Sequence, residues 1–120
     1  MISLSSTQRY YLWRGEADMR KGFDGLSGLV RNEMGQDPLD GSVYIFINRR
    51  ATHIKLLVWD RSGFVLYYKR LERGRFHFPK EATASGYKIS WQALVLMLEG
   101  IEVANVKQKK RYSFPQKQAE

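Results

Sequence analysis

The chain has 120 residues, 43% of them hydrophobic, with 20 lysine plus arginine against 12 aspartate plus glutamate for a formal charge of +8, and it contains no cysteine. That length supports one domain around one core and excludes a large multi-step enzyme, while the missing cysteine excludes disulfides, thiolate nucleophiles and cysteine-held zinc together. So strong a positive excess attracts polyanions, which makes nucleic acid, an acidic protein or an anionic membrane surface the natural partner classes, against the plainer reading of a protein that is merely basic.

Residues 1–9 are polar, without the apolar run of a signal peptide, and no stretch reaches the ~18 apolar residues of a membrane span, so a cytoplasmic protein with no membrane partner is the simplest expectation. Arg9-Tyr10-Tyr11-Leu12-Trp13-Arg14, closed by Gly15, predicts a short strand. Asp18 suits a helix N-cap, and Met19, Phe23, Leu26, Val30 and Met34 recur at spacings of four and three, which predicts a helix with one apolar face ending near Gly35. Gly22, Gly25 and Gly28 fall inside it, each costing about 1 kcal/mol relative to alanine. They either admit a closely approaching backbone or lie on an indifferent exposed face.

Asp37-Pro38-Leu39-Asp40-Gly41 is turn chemistry. Residues 43–48, 52–59 and 64–70 are β-branched and aromatic runs joined by Arg49-Arg50 and Asp60-Arg61-Ser62-Gly63, the pattern of an antiparallel meander. Two-residue loops would set Phe46 against His53, Tyr44 against Lys55, Leu57 against Leu66, Trp59 against Phe64 and Arg70 against His53. One face is then aliphatic: Val43, Ile45, Ile47, Ile54, Leu56, Val58 and Val65. The other mixes Tyr44, Phe46, Leu57, Trp59, Phe64, Leu66 and Tyr68 with His53, Lys55 and Arg70. Rings stack on bases and cations neutralise phosphates, so this second face could be a nucleic-acid platform. Leu57 and Leu66 in its middle favour a second buried face, covered by the first strand or a helix, with Lys55 and Arg70 snorkelling at its edges.

Glu72-Arg73-Gly74-Arg75 reads as a turn, Phe76-His77-Phe78-Pro79 as a short extended piece and residues 80–86 as a loop. Tyr87-Lys88-Ile89 makes one more strand, and Ser90 caps a helix over residues 91–99 with a Leu94, Leu98 and Ile101 core stripe. Residues 107–120 form a basic, flexible tail around Lys109, Lys110 and Arg111, leaving residues 1–106 as the domain. The expected fold is α+β, an antiparallel β-meander with about two helices in a single domain, its aliphatic face covered by the helix beginning near Asp18.

Catalytic constellations are absent from the sequence. His53 and His77 match no zinc-ligand spacing, so no metal site is expected. Asp18 and Asp24 lie six apart, off a common helix face, and Asp60 sits in a turn. Ser62 and Ser90 lack a histidine base with an orienting acid, and the glycines follow neither phosphate-loop nor dinucleotide patterns. The expectation is a non-enzyme without cofactor.

Several linked segments do carry a resemblance: Asp18-Met19-Arg20-Lys21-Gly22-Phe23-Asp24-Gly25-Leu26, Asp37-Pro38, Gly41, Asn48-Arg49-Arg50, Ile54-Lys55-Leu56-Leu57, Trp59-Asp60, Gly63-Phe64 and Tyr68-Lys69-Arg70-Leu71-Glu72-Arg73-Gly74-Arg75-Phe76. In order and spacing they resemble the small accessory protein of insertion-sequence-66-type bacterial transposons, the second-frame product often called TnpB there, over residues 16–101. Gly28 stands where that family more often has alanine, and His77-Phe78-Pro79 replaces a commoner Arg-Trp-Pro. The resemblance implies a helper in transposition, encoded beside a separate large transposase that carries the strand-transfer carboxylates.

Two functions follow as expectations. The first is binding of DNA or of the transposon-end complex through Arg49, Arg50, Lys55, Lys69, Arg70, Arg73, Arg75 and the tail residues Lys109, Lys110 and Arg111. The second is an adaptor that docks on the transposase through the aromatic sheet face. The hairpin register predicts that Arg49 and Arg50 meet the group formed by Lys69, Arg70, Arg73 and Arg75 in one cationic surface.

Overall fold

The computed structural model describes residues 4–79 and 87–99. Its elements, in chain order, are β1 (Tyr10–Leu12), α1 (Phe23–Asn32), β2 (Val43–Ile47), β3 (His53–Asp60), β4 (Gly63–Arg70), β5 (Lys88–Ile89) and α2 (Trp91–Leu98). The strands form one sheet in the order β4-β3-β2-β1-β5. The meander β2-β3-β4 is antiparallel as expected, but the sheet is mixed. β1 lies parallel to β2, with Tyr10 opposite Val43 and Leu12 opposite Ile45, and antiparallel to β5. A parallel neighbour requires a crossover, and the helical connection through α1 supplies it.

The β3–β4 register agrees with the two-residue loop: Leu57 faces Leu66, Trp59 faces Phe64 and His53 faces Arg70. The β2–β3 register differs by two residues, with Tyr44 opposite Leu57 and Phe46 opposite Lys55. The connection there is longer than Arg49-Arg50. Asn48 Oδ1 accepts from the amides of Thr52 (2.9 Å) and His53 (3.0 Å), the Ala51 amide donates to the Asn48 carbonyl, and Ala51 takes a left-handed φ of 58°. Because the shift is even, every side chain keeps its face.

Both faces are buried. Ile45, Ile47, Ile54, Leu56 and Val58 pack with Leu94 and Met97 of α2 in one core. Tyr44, Phe46 and Leu57 pack with Leu26, Val30 and Met34 in a second. The helix after Asp18 thus covers the aromatic face, not the aliphatic one, and closes its Tyr44, Phe46 and Leu57 to stacking bases, while Tyr68 on β4 stays half-exposed. With both faces apolar, alternation could not assign a helix to either; the chain connections decide.

α1 also starts later than Asp18. Gly22 stands at its N-cap position, and Phe23 is 48% exposed, outside the stripe formed by Leu26, Val30 and Met34. The Asp18 carboxylate is committed to a turn instead, accepting from the Arg20 amide (2.9 Å) and from the Arg20 guanidinium. α2 begins as read, with Ser90 Oγ accepting from the Ala93 amide at 3.0 Å. Ile101, the loop 80–86 and the tail from 107 lie outside the described residues.

The glycines of α1 serve no close approach. A methyl group at Gly28 would meet nothing within 4 Å, and one at Gly25 would meet only the Lys21 side chain. Gly28→Ala is therefore expected to stabilise the fold by about 0.4–1 kcal/mol through lower unfolded-chain entropy and higher helix propensity. A higher urea midpoint at unchanged slope would establish it, and a lower midpoint would show that something touches this face.

Candidate nucleic-acid interface

Three chain segments meet at the end of the sheet where β2 finishes and β3 begins. Parallel pairing carries the chain after β1 along the end of β2, where the Trp13 amide donates to the Ile45 carbonyl and the Ala17 amide to the Ile47 carbonyl. The β2–β3 turn holds Arg49 and Arg50. The chain leaving β4 returns to that turn: the Leu71 amide donates to the Thr52 carbonyl (2.9 Å) and the Phe76 amide to the Ala51 carbonyl (2.7 Å). Between these two bonds the loop carrying Arg73 and Arg75 turns through Gly74 at φ 81°, a left-handed conformation that suits glycine.

The result is a groove of about 410 Å³ whose lining includes Arg14, Arg49 and Arg75 above Ile47, Ala51 and Phe76. A second concavity, on the aromatic side of the same sheet end, is lined by His53, Tyr68, Arg70 and Glu72. The acids among the lining residues of these two hollows are Glu16 and Glu72. Glu16 approaches Arg49 at 4.0 Å and Glu72 holds Arg70 at 2.9 Å, both pairs exposed. Exposed pairs contribute little and give way readily to a phosphate.

Two of the lysines read as surface cations lie elsewhere. Lys55 is only 5% exposed. Its Nζ donates to the carbonyls of Met19 (2.7 Å) and Lys21 (2.8 Å) and sits 4.6 Å from the centre of the Tyr68 ring, which accounts for all three of its protons. It does not snorkel; it holds the 18–22 turn from within. Lys69 points to the aliphatic side, where its Nζ donates at 2.7 Å to the Leu98 carbonyl at the end of α2, a favourable place for a cation. Strand alternation already implied this, since Lys69 shares its parity with Val65. Arg14 and Phe78, by contrast, had no sequence signal as site residues, because they reach the groove through the unforeseen parallel pairing and the return of the chain after β4. Lys109, Lys110 and Arg111 lie outside the described residues.

The other motif segments are structural in their contacts. Trp59 packs edge-on against Phe64, ring centres 5.1 Å apart, and with Asp60 it sits at the opposite end of the sheet. Hydrogen bonds from the Arg20 side chain and amide pull the Asp18 carboxyl down to about 2. A lowered carboxyl favours the ordered turn at pH values above the usual carboxylate range, and that contribution disappears as the pH falls through the lowered value. The turn is thus expected to hold from neutrality to about pH 4 and to loosen toward pH 2, which the amide resonance of Arg20 would report. Loosening near pH 6 would contradict this account. No group of metal-ligating side chains assembles among the described residues, and no helix there is long and apolar enough to cross a membrane.

A small α+β domain with two buried sheet faces and arginines gathered at one end is the class this architecture defines. The chain belongs to the IS66 Orf2-like protein family, whose model matches residues 8–108. It is 34% identical over 102 residues to the uncharacterized protein y4hO of Sinorhizobium fredii (strain NBRC 101917 / NGR234), covering 85% of this chain and 88% of that one. It is also 31% identical over 109 residues to the uncharacterized protein y4jC of the same organism, covering 91% and 92%. No solved structure matches. Membership supports an accessory role in transposition and implies a transposase partner.

Proposed function

We propose that the protein is a non-catalytic accessory that binds double-stranded DNA, free or in the transposon-end complex, weakly and without strong base preference. The observation that carries this reading is the meeting of Arg14, Arg49 and Arg75 around one groove, with Arg50, Arg70 and Arg73 on the adjoining turn, strand end and loop. Arginine suits phosphate because its fixed fork of donors matches the oxygens. Both helices pack their apolar stripes on the sheet, so phosphate contacts supply most of the affinity, and the Lys109-Lys110-Arg111 block adds to them. Such contacts give dissociation constants of about 10⁻⁴ to 10⁻⁶ M at physiological salt.

Titration of labelled duplexes of unrelated sequence at two salt concentrations tests the proposal. Similar affinities that fall steeply with salt are expected, and Arg49→Ala combined with Arg50→Ala should weaken all of them alike and flatten the salt slope. No binding at low salt, together with tight salt-insensitive binding to the transposase, would instead favour an adaptor. That adaptor could not use the aromatic face as a whole, because α1 covers Tyr44, Phe46 and Leu57.

A further inference from the structure

We infer that the groove between the end of β1, the β2–β3 turn and residues 75–78 takes an unpaired nucleotide, so that the protein favours DNA with a single-stranded tail over blunt duplex. This rests on the DNA-binding reading and names the form of DNA the groove selects. A surface built only for the duplex backbone needs cations and hydrogen-bond donors, yet this groove also has an apolar floor of Ile47 and Phe76, both nearly fully buried. Phe78 adds an aromatic ring to the same wall. It is 50% exposed and belongs to neither core, so burial does not account for it.

Arg14, Arg49 and Arg75 line the same hollow. Apolar floor, exposed ring and guanidinium rim together match a flat base attached to a phosphate: the ring stacks on the base while the arginines take the backbone. The groove's volume falls within the range of small-ligand sites. A base stacked inside a duplex presents only its edges, so it cannot lie against Phe78 until it is unpaired. Duplex phosphates can still rest on the rim, and for this reason duplex binding and tail binding are separable.

The full chain is titrated by fluorescence anisotropy at low salt against three DNAs: a blunt duplex, the same duplex with an oligothymidine tail, and one whose tail is abasic. The thymidine tail should bind at least about fivefold more tightly than either of the others, as base–aromatic stacking implies. Phe78→Ala should abolish that gain, so that within this variant the tailed duplex binds no more tightly than the blunt one. Phe78→Trp should preserve it, and the new indole's fluorescence should change when the tail binds. Equal binding of all three DNAs by the wild-type chain overturns this inference and leaves duplex binding standing. A thymidine preference that survives Phe78→Ala overturns the assignment to this groove. Absence of binding to any of the DNAs overturns both readings.

Discussion

Leu56→Ala is expected to destabilise the protein by about 2–5 kcal/mol, a large share of the ~5–15 kcal/mol that usually separates folded from unfolded domains. Leu56 is fully buried in the middle of β3, opposite Ile45 on one side and Tyr67 on the other, in the core shared with Leu94 and Met97 of α2. Truncation removes apolar contact and leaves a cavity that strands held on both sides cannot collapse to fill. Urea denaturation should show a much lower midpoint with little change of slope. Leu39→Ala is the control, because Leu39 is exposed in the turn before β2, and it should shift stability by no more than about 0.5 kcal/mol. If the two variants lost equal stability, the α2-covered face would not be the principal core.

The meander was legible because its information is local. Strand alternation separates Ile45, Leu56 and Val58 from Tyr44, Phe46 and Leu57, and the short Asp60-Arg61-Ser62-Gly63 connection fixes the β3–β4 register. The Ser90 cap is equally local. What the residues could not display was long-range. A three-residue strand such as β1 contains nothing that says whether its neighbour will run parallel, and that pairing is what brings Arg14 to the arginines of the β2–β3 turn and the post-β4 loop.

Asn48 illustrates a subtler failure. Its side chain accepts two backbone amides and so lengthens a turn that the Arg49-Arg50 pair alone made look minimal. Asp18 misled for a related reason: an aspartate before an apolar periodic run has two uses, capping a helix or closing a turn of its own, and Arg20 two residues on tips it to the second. In the cationic set, residue type suggested seven arginines and lysines outside the tail and omitted Arg14, but only burial and alternation separate the arginines at the sheet end from Lys55 and Lys69.

Lys55→Met should be the most damaging change at any charged position, with a loss of about 2–4 kcal/mol, because hydrogen bonds from a charged donor contribute roughly 1.5–3 kcal/mol each and the two here are not additive. Methionine keeps the length and apolar stem of the side chain set between Phe46 and Tyr68 on the neighbouring strands, but it strips the Met19 and Lys21 carbonyls of their donor and removes the cation over the Tyr68 ring. Part of the loss is local. Losing the ammonium that the Met19 and Lys21 carbonyls share loosens the 18–22 turn and weakens the Lys21 amide's bond to the Asp18 carbonyl. Faster hydrogen exchange at the Arg20 and Lys21 amides is therefore expected alongside the lower urea midpoint. Lys55→Arg should rescue little, since a planar guanidinium cannot direct its donors as the ammonium does. If Lys55→Met unfolded like the wild type, with unchanged exchange in the turn, the ammonium would have no organising role. The expected outcome instead ties together two segments far apart in sequence: Asp18-Met19-Arg20-Lys21-Gly22 supplies the carbonyls, Ile54-Lys55-Leu56-Leu57 supplies the cation that holds them, and α1 starts at Phe23 from the turn so fixed.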